Sequence, residues 1–375
     1  MAFKFEILHQ SRKSKARVGK IHTPHGIINT PNFVAVGTNG TLKALDNHTV
    51  TLLGLELMFC NTYHLLLQPG PDVVQKAGGL HRFIQRDMPI ITDSGGFQVF
   101  SLANGSVANE LKSRGTKKAD GSVLKITEDG VLFRSYRDGS KVLLTPETSI
   151  QAQKKLGADI IIPFDELPPY HIDKKVLIQS LERTHRWEER SLQEHLKNPQ
   201  SQAIYAVVHG GVDEELRNKS CDILSSLPFD GFAIGGSLGK TKQELFQLLE
   251  YVPMRLDRTK PNHLLGIGDL ESIDKAVGLG IDTLDSSYPT KAARHAIAIT
   301  SKGPLNITKG EMRTLFEPLD KECHCPTCQK FTVAYLHHLF KAKEMTAYTL
   351  ASIHNVYQMV KIMENYRQRI LNNEI

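Results

Sequence analysis

Three aspartates in this chain stand at the ends of short apolar runs: Asp93 in "IITDSGGFQ" (90–98), Asp165 in "DIIIPFDE" and Asp285 in "GIDTLDSSYPT". A fourth run, "QAIYAVVHGG", closes on His209. Carboxylates brought together can act as general acid, general base or nucleophile. The letters DSGG also flank the nucleophilic serine of trypsin-like proteases, but no recognisable motif pairs Ser94 with a histidine. Taken singly, an aspartate at a strand end most often caps a helix, and a lone histidine is usually a satisfied polar residue. Chemistry is implied only if several such ends converge.

A second cluster is made of thiols. Three of the five cysteines fall in "CHCPTC", as Cys323, Cys325 and Cys328. The chain opens without an apolar leader segment, so disulfides are not expected, and three soft ligands within six residues suit one zinc ion. A histidine would complete a closed, structural tetrahedron, and His324, His337, His338 and His354 all qualify by position. Cys60 and Cys221 are expected as small buried apolar residues.

The elements that must position these groups are legible as a repeat. From residue 90 onward, "PIITDSGG", "ADIIIPFDE", "QAIYAVVHGG", "FDGFAIGG", "HLLGIGD" and "GIDTLDSSYP" alternate with amphipathic stretches such as "TPETSIQAQKKLG" and "KTKQELFQLLEYV". Continuous apolar strands alternating with helices mean parallel strands buried on both faces. The expected fold is α/β, a (β/α)₈ TIM barrel, in which chemistry sits at the C-terminal strand ends. A doubly wound sheet is the alternative, but neither G-x-G-x-x-G nor a P-loop lysine motif is present. The first 60 residues are β-rich and turn-rich, suggesting a lid or sheet preceding the barrel. Residues 1–305 are expected to form the catalytic barrel region with this N-terminal β-rich segment. Residues 306–375 are expected to form a zinc-binding subdomain with C-terminal helices.

Composition agrees with a globular, cytoplasmic enzyme: 40% hydrophobic and 23% charged residues, with no apolar run of membrane-spanning length. The net charge of +6 permits a polyanionic partner without requiring one. Short basic clusters occur at Arg12, Lys13, Lys15 and Arg17, at Lys117 and Lys118, and at Lys154 and Lys155. Most clusters of this size are simply solvated surface.

Strand ends and cysteines together resemble the tRNA-guanine transglycosylase family, bacterial type. The matching stretches are "NTYHLLLQPG" (61–70), "TDSGGFQVFSL" (92–102), "FDE" (164–166), "DGFAIGG" (230–236), "GIGD" (266–269), "GIDTLDSSYPT" (280–290) and "PLDKECHCPTCQKFTVAYLHHL" (318–339). They occur in order over almost the whole chain. The resemblance implies a barrel with one structural Zn²⁺ per chain and selects His354, 26 residues beyond Cys328, as the fourth ligand. It implies exchange of guanine at the anticodon wobble position of tRNA for a 7-deazaguanine, through a covalent ribosyl-aspartate, in the two-carboxylate logic of a retaining glycosidase. Asp285 is then the nucleophile and Asp93 the general acid/base, with Asn61 near the nucleophile. Asp165, His209, Gly235, Gly236 and a stacking Phe97 would form the base pocket, with Ser94 beside them and Gly95 and Gly96 letting the base approach the backbone. Gly266, Ile267, Gly268, Asp269, Leu270, Glu271 and Ser272 match a segment that touches RNA backbone. Thr290, Lys291, Ala292, Ala293 and Arg294 match one that reads bases beside the wobble position. The family also implies a homodimer and no membrane partner.

The chain departs from the family pattern at His209, usually glutamine, at Ser237, usually leucine, at Leu167, often cysteine, and at Lys291, usually arginine. The loop "LGKTK" is one residue shorter, and Gly239 lies near a position that is valine in typical bacterial members and glycine in eukaryotic ones. Losing that side chain favours queuine, the bulky finished base, over its small precursor preQ1. A preQ1 enzyme with a drifted loop is the alternative. More distant readings are a barrel glycoside hydrolase, which should show more than the single Trp187 for sugar stacking, and a catalytically silent tRNA-binding subunit, which need not retain both Asp93 and Asp285.

Overall fold

A computed structural model describes residues 3–103 and 123–375 of the chain. Lys117 and Lys118 lie outside the described residues. The strands are β1 (Lys4–Gln10), β2 (Arg17–Thr23), β3 (Gly26–Thr30), β4 (Asn32–Val36), β5 (Met58–Cys60), β6 (Ile90–Thr92), β7 (Val123–Ile126), β8 (Val131–Arg134), β9 (Lys141–Leu144), β10 (Ile160–Ile161), β11 (Ala203–Val208), β12 (Gly231–Ile234), β13 (Asn262–Leu264), β14 (Thr283–Ser286), β15 (Ile297–Thr300) and β16 (Gly303–Asn306). Eight of them close a parallel barrel in the order β4–β5–β6–β10–β11–β12–β13–β14, with β14 pairing back onto β4.

The apolar runs are continuous because each barrel strand is buried twice. In β11, Ala203, Tyr205 and Val207 belong to the barrel interior, while Ile204, Ala206 and Val208 face the surrounding helices. Alternation along this strand feeds both layers, so all six of its residues are apolar or aromatic. The intervening helices start where the sequence supplies caps. Thr145 and Thr148 form a reciprocal capping box before the helix Pro146–Leu156, which ends on Gly157 in the left-handed conformation. Thr241 and Glu244 do the same for the helix Lys242–Arg255.

The N-terminal expectation needs correction. Two barrel strands, β4 and β5, lie inside the first 60 residues. The sheet that precedes them, β1–β2–β3, closes the floor of the barrel instead of covering the catalytic end. Ile21 and Ile28 pack with Tyr205, Ile91 and Val34 of the interior, and His25 meets Asp159 just before β10 begins. Arg17, counted among the basic clusters, is buried here and donates to both oxygens of Asp282, at 2.8 and 2.6 Å. Lys155 pairs with Asp72, and Lys154 contacts His195 and the Asn198 carbonyl. These cations serve the fold.

Beyond β14 the chain builds a second core around Ile307, Leu319, Val333, Leu336 and the three clustered cysteines. The helix Met345–Leu371 joins both cores. Ala347, Leu350 and Ala351 pack in the cysteine core, while Val356, Met359, Met363 and Ile370 pack in the barrel core. No helix among the described residues is long and apolar enough to cross a membrane.

Candidate active site

The C-terminal ends of the barrel strands open into a cavity of about 550 Å³ lined by Asp93, Asp165 and Asp285 together with Asn61, Phe97, Gly236 and Lys291. The three aspartates sit on three different strand ends, which is how a parallel barrel converges side chains that are distant in sequence.

Asp93 follows β6 and is 8% exposed. Its Oδ2 accepts from Asn61 Nδ2 at 2.7 Å and its Oδ1 from the Thr62 backbone N–H at 2.7 Å. Burial pushes its carboxyl up to about 6, against the opposing pull of the bonds from Asn61, Thr62 and Gln98 and with help from the negative charge of Asp165. A carboxyl near neutrality can both give and take a proton. Asn61, expected beside the nucleophile, therefore orients the other carboxylate.

The raised Asp93 pKa has a consequence for stability. Between its ordinary value near 4 and about 6, the folded chain keeps a proton that the unfolded chain has lost, so stability falls as pH rises through that window and levels off above it. Asp93→Asn removes the ionisation. We expect the variant to be more stable than the parent by about 3 kcal/mol at pH 7.5 and by only about 1 kcal/mol at pH 4.5. Urea denaturation at the two pH values checks this, and a difference independent of pH would count against it.

Asp285 lies on β14 and is 6% exposed. Its Oδ1 accepts from the Gly266 N–H at 2.9 Å and from His263 Nε2 at 3.1 Å. Its Oδ2 makes no hydrogen bond among the described residues. His263, fully buried on β13, is a functional residue that the sequence reading missed. It pairs across the ladder with Thr283, whose Oγ1 is 2.9 Å from His263 Nδ1, and from there reaches the next inward residue of β14. Its only signal was its place in the run "HLLGIGD". A hydrogen bond to a charged group contributes about 1.5–3 kcal/mol. His263→Phe is therefore expected to lower kcat roughly tenfold to a hundredfold with little change in KM for the macromolecular substrate. Steady-state kinetics would show otherwise if the contact were merely structural.

Asp165 is held on both oxygens: Ser94 Oγ donates to Oδ1 at 3.0 Å, and His209 Nε2 lies 2.9 Å from Oδ2. Ser94 Oγ is thus engaged with a carboxylate, and no histidine is bonded to it among the described residues. A carboxylate accepts at about four sites, so Asp165 keeps capacity for two donors of a planar base edge. Phe97 is half-exposed at the mouth of the cavity.

Other expected residues are placed differently. Gly95 and Gly96 do not line the cavity; a Cβ at Gly96 would stand 2.7 Å from the Asp165 carbonyl, so its bareness lets the Asp165 loop approach. Gly235 packs against Val207 and Leu265. Gly239, at φ +102°, also lies away from the cavity, and a Cβ there would meet Glu244, so it does not open the base pocket directly. Gly266, Ile267, Gly268 and Asp269 line the cavity, whereas Leu270, Glu271 and Ser272 begin the helix Leu270–Gly278. Asp269 caps that helix through Ser272, and Lys242 pairs with both Asp269 and Glu271. In the helix Tyr288–Arg294, Thr290, Ala292 and Ala293 are buried, while Lys291 and Arg294 are exposed.

In the second core, Cys323, Cys325, Cys328 and His354 bring their ligand atoms within 4.8 Å of one another. The three sulfurs lie 3.6, 3.6 and 3.2 Å from His354 Nδ1. Tetrahedral bonds of about 2.3 Å to sulfur and about 2.0 Å to nitrogen put such pairs roughly 3.5 Å apart, so the four residues fit a closed metal site. His354 Nε2 donates to the Ile299 carbonyl at 2.8 Å, which turns Nδ1 toward the thiols. His337 is bonded to the Ile307 carbonyl instead, and His324 and His338 are exposed.

Comparison with known proteins identifies the family. The sequence profile described as queuine tRNA-ribosyltransferase matches residues 11–375. A queuine tRNA-ribosyltransferase of Protochlamydia amoebophila is 70% identical over 368 residues, covering 98% of this chain and 95% of the relative. Those of Chlamydia caviae and Chlamydia felis are 55% and 54% identical, each over the full length of both chains. The chain belongs to the queuine tRNA-ribosyltransferase family, the tRNA-guanine transglycosylases, which are pentosyltransferases.

Proposed function

We propose that this chain replaces guanine at the wobble position of tRNA with a 7-deazaguanine by way of a ribosyl-Asp285 intermediate. The observation that carries the reading is the pair of differently treated carboxylates on one cavity. Asp93 is buried with a raised pKa, and Asp285 is held on Oδ1 with Oδ2 unbonded. The two carboxyls are held by different partners on one cavity, which suits them to separate roles.

The steps balance with these groups alone. The target nucleotide is extruded from the loop to enter the barrel mouth. Asp285 Oδ2 attacks the ribose anomeric carbon while the bond to guanine N9 breaks, and Asp93 protonates the leaving base. The incoming base gives its glycosidic N–H proton to Asp93, and the freed nitrogen attacks the same carbon, releasing Asp285. Asp165 accepts from the ring and exocyclic N–H groups of the base. With His209 donating from Nε2, its Nδ1 is left as an acceptor beside Gly236.

The ion at Cys323, Cys325, Cys328 and His354 is zinc, on the strength of its three thiolates and one imidazole. When bound it supplies no chemistry to the exchange; the four residues tie the helix Met345–Leu371 to the cysteine segment 323–328, and His354 Nε2 also bonds β15. The enzyme acts in the cytoplasm as a homodimer that handles one tRNA, as the family resemblance implies.

The inserted base is queuine in preference to preQ1. The relatives carry queuine in their names, and Ser237 stands in place of the family's usual leucine after β12. The test is release of labelled guanine from a wobble-guanine tRNA on addition of queuine or preQ1. Release with queuine and little with preQ1 is expected; release with preQ1 alone would sink the preference but not the exchange.

A further inference from the structure

The barrel ladder lapses between β10 and β11, beside the base site. β10 pairs with β11 only through Ile160 and Ile161, yet the chain runs on through Ile162 to Asp165 at the cavity. Side chains of two helices take the place of the missing strand partners. Gln153, on the helix Pro146–Leu156, bonds both the N–H and the carbonyl of Ile162, at 3.0 and 2.8 Å. From the helix Lys174–Leu196, Ser191 Oγ accepts from the Phe164 N–H and Thr184 Oγ1 from the Glu166 N–H, both at 3.1 Å. The intervening Pro163 has no N–H to satisfy. Residues 162–166 are thus an arm held by helix side chains, and Asp165 is carried on it.

Across the gap, Glu188 holds β11 in the same way, its Oε2 accepting from the Val207 N–H at 3.1 Å. Thr184, Glu188 and Ser191 are spaced i, i+4 and i+7 and share one helix face. The outer two grip the arm and the middle one grips the strand. Glu188 is fully buried, makes no ion pair among the described residues, and leaves Oε1 without a partner among them. Burial pushes its carboxyl well above the ordinary carboxylate range, the Val207 N–H opposing and the negative charge of Asp165 adding to the rise. The group is therefore a neutral acid at pH 7. A second negative charge there would oppose the one that Asp165 offers to the N–H groups of a base. The exchange steps do not use Glu188, which does not line the cavity. A buried carboxyl with one hydrogen bond is costly to keep in an interior.

We propose that Glu188 is a positioning residue of the base site, fixing how far apart Val207 and the Asp165 arm stand across the cavity. The inference rests on the base-exchange reading above. Glu188 anchors the strand while Thr184 and Ser191 anchor the arm, so one rigid helix face sets the width of the slot that a planar base enters. Without the anchor on Val207, strand and arm shift, and Asp165 meets the base at the wrong distance. The cost falls on the base and not on the tRNA.

The experiment measures KM for guanine and for tRNA in the parent, Glu188→Gln, Glu188→Met and Thr184→Val, with folding checked by thermal melting. Glutamine keeps a neutral acceptor for the Val207 N–H, methionine keeps the bulk without it, and Thr184→Val removes the acceptor that holds Glu166. The Gln variant is expected to keep the parent's constants and pH profile. The Met and Val variants are expected to raise KM for guanine roughly tenfold, with KM for tRNA within about twofold of the parent. An unchanged guanine KM in the Met variant overturns the assignment, and so does an equal rise in both constants. A Gln variant as impaired as the Met variant overturns it too, because a charge would then be needed in place of a neutral acceptor. If the Met variant does not fold, Thr184→Val decides by the same split between the two constants. No guanine exchange by the parent would instead overturn the reading beneath the assignment.

Discussion

Asp285→Ala is expected to lower base exchange by roughly four orders of magnitude or more while leaving tRNA affinity within a few-fold of the parent. Removing a nucleophile forces the reaction into a single displacement without covalent help, and such losses typically reach about 10⁴–10⁶ in kcat. The side chain is nearly buried and contacts His263 and Gly266, so its removal does not strip charge from the tRNA-facing surface. Two measurements check the expectation: guanine release from labelled tRNA, and a denaturing gel that shows a covalent tRNA-protein species in the parent and none in the variant. A variant that retains the covalent species would move the nucleophile to another residue, with Asp93 the first to examine.

Cys325→Ala is expected to cost stability before it costs chemistry. Cys325 is fully buried and sits in a core with Ala298, Leu336, Leu350 and Ala351, whose packing depends on the four ligands being drawn together. Structural zinc contributes about 10–16 kcal/mol to the folding of small zinc peptides. Here the ligands belong to a larger apolar core, so the expected loss is smaller, on the order of 4 kcal/mol, with melting lowered by roughly 5 °C. Elemental analysis should find about one zinc per parent chain and substoichiometric metal in the variant. At a temperature where the variant remains folded, its kcat should stay close to that of the parent. Loss of metal with unchanged melting would remove the structural role assigned to the site.

The strand ends carrying Asp93, Asp165 and Asp285 were legible because burial on both faces writes parallel strands as unbroken apolar runs, and each run stops where the barrel meets solvent. The cysteine knuckle was legible because its ligands are local, whereas His354 needed the family resemblance. Two barrel strands escaped notice: β5 is three residues long, and β4 lies among threonine, proline and glycine turns that resemble a small antiparallel sheet.

The sequence by itself determined whatever depends on near neighbours: the helix caps, the alternation that feeds two cores, the three-cysteine spacing and the ordered motifs that name the chemistry. Tertiary structure alone decided which groups meet. Asn61 bonds Asp93 and not Asp285 because β5 lies next to β6 in the barrel. His263 reaches Asp285 only because β13 and β14 pair with His263 opposite Thr283, and a slip of one residue would turn it to the other face. Gly239 faces Glu244 through the path of a loop whose closure no local pattern encodes. Spacing along the chain sets what a segment can form, while barrel closure and strand register set the distances across which carboxylates, imidazoles and hydroxyls act.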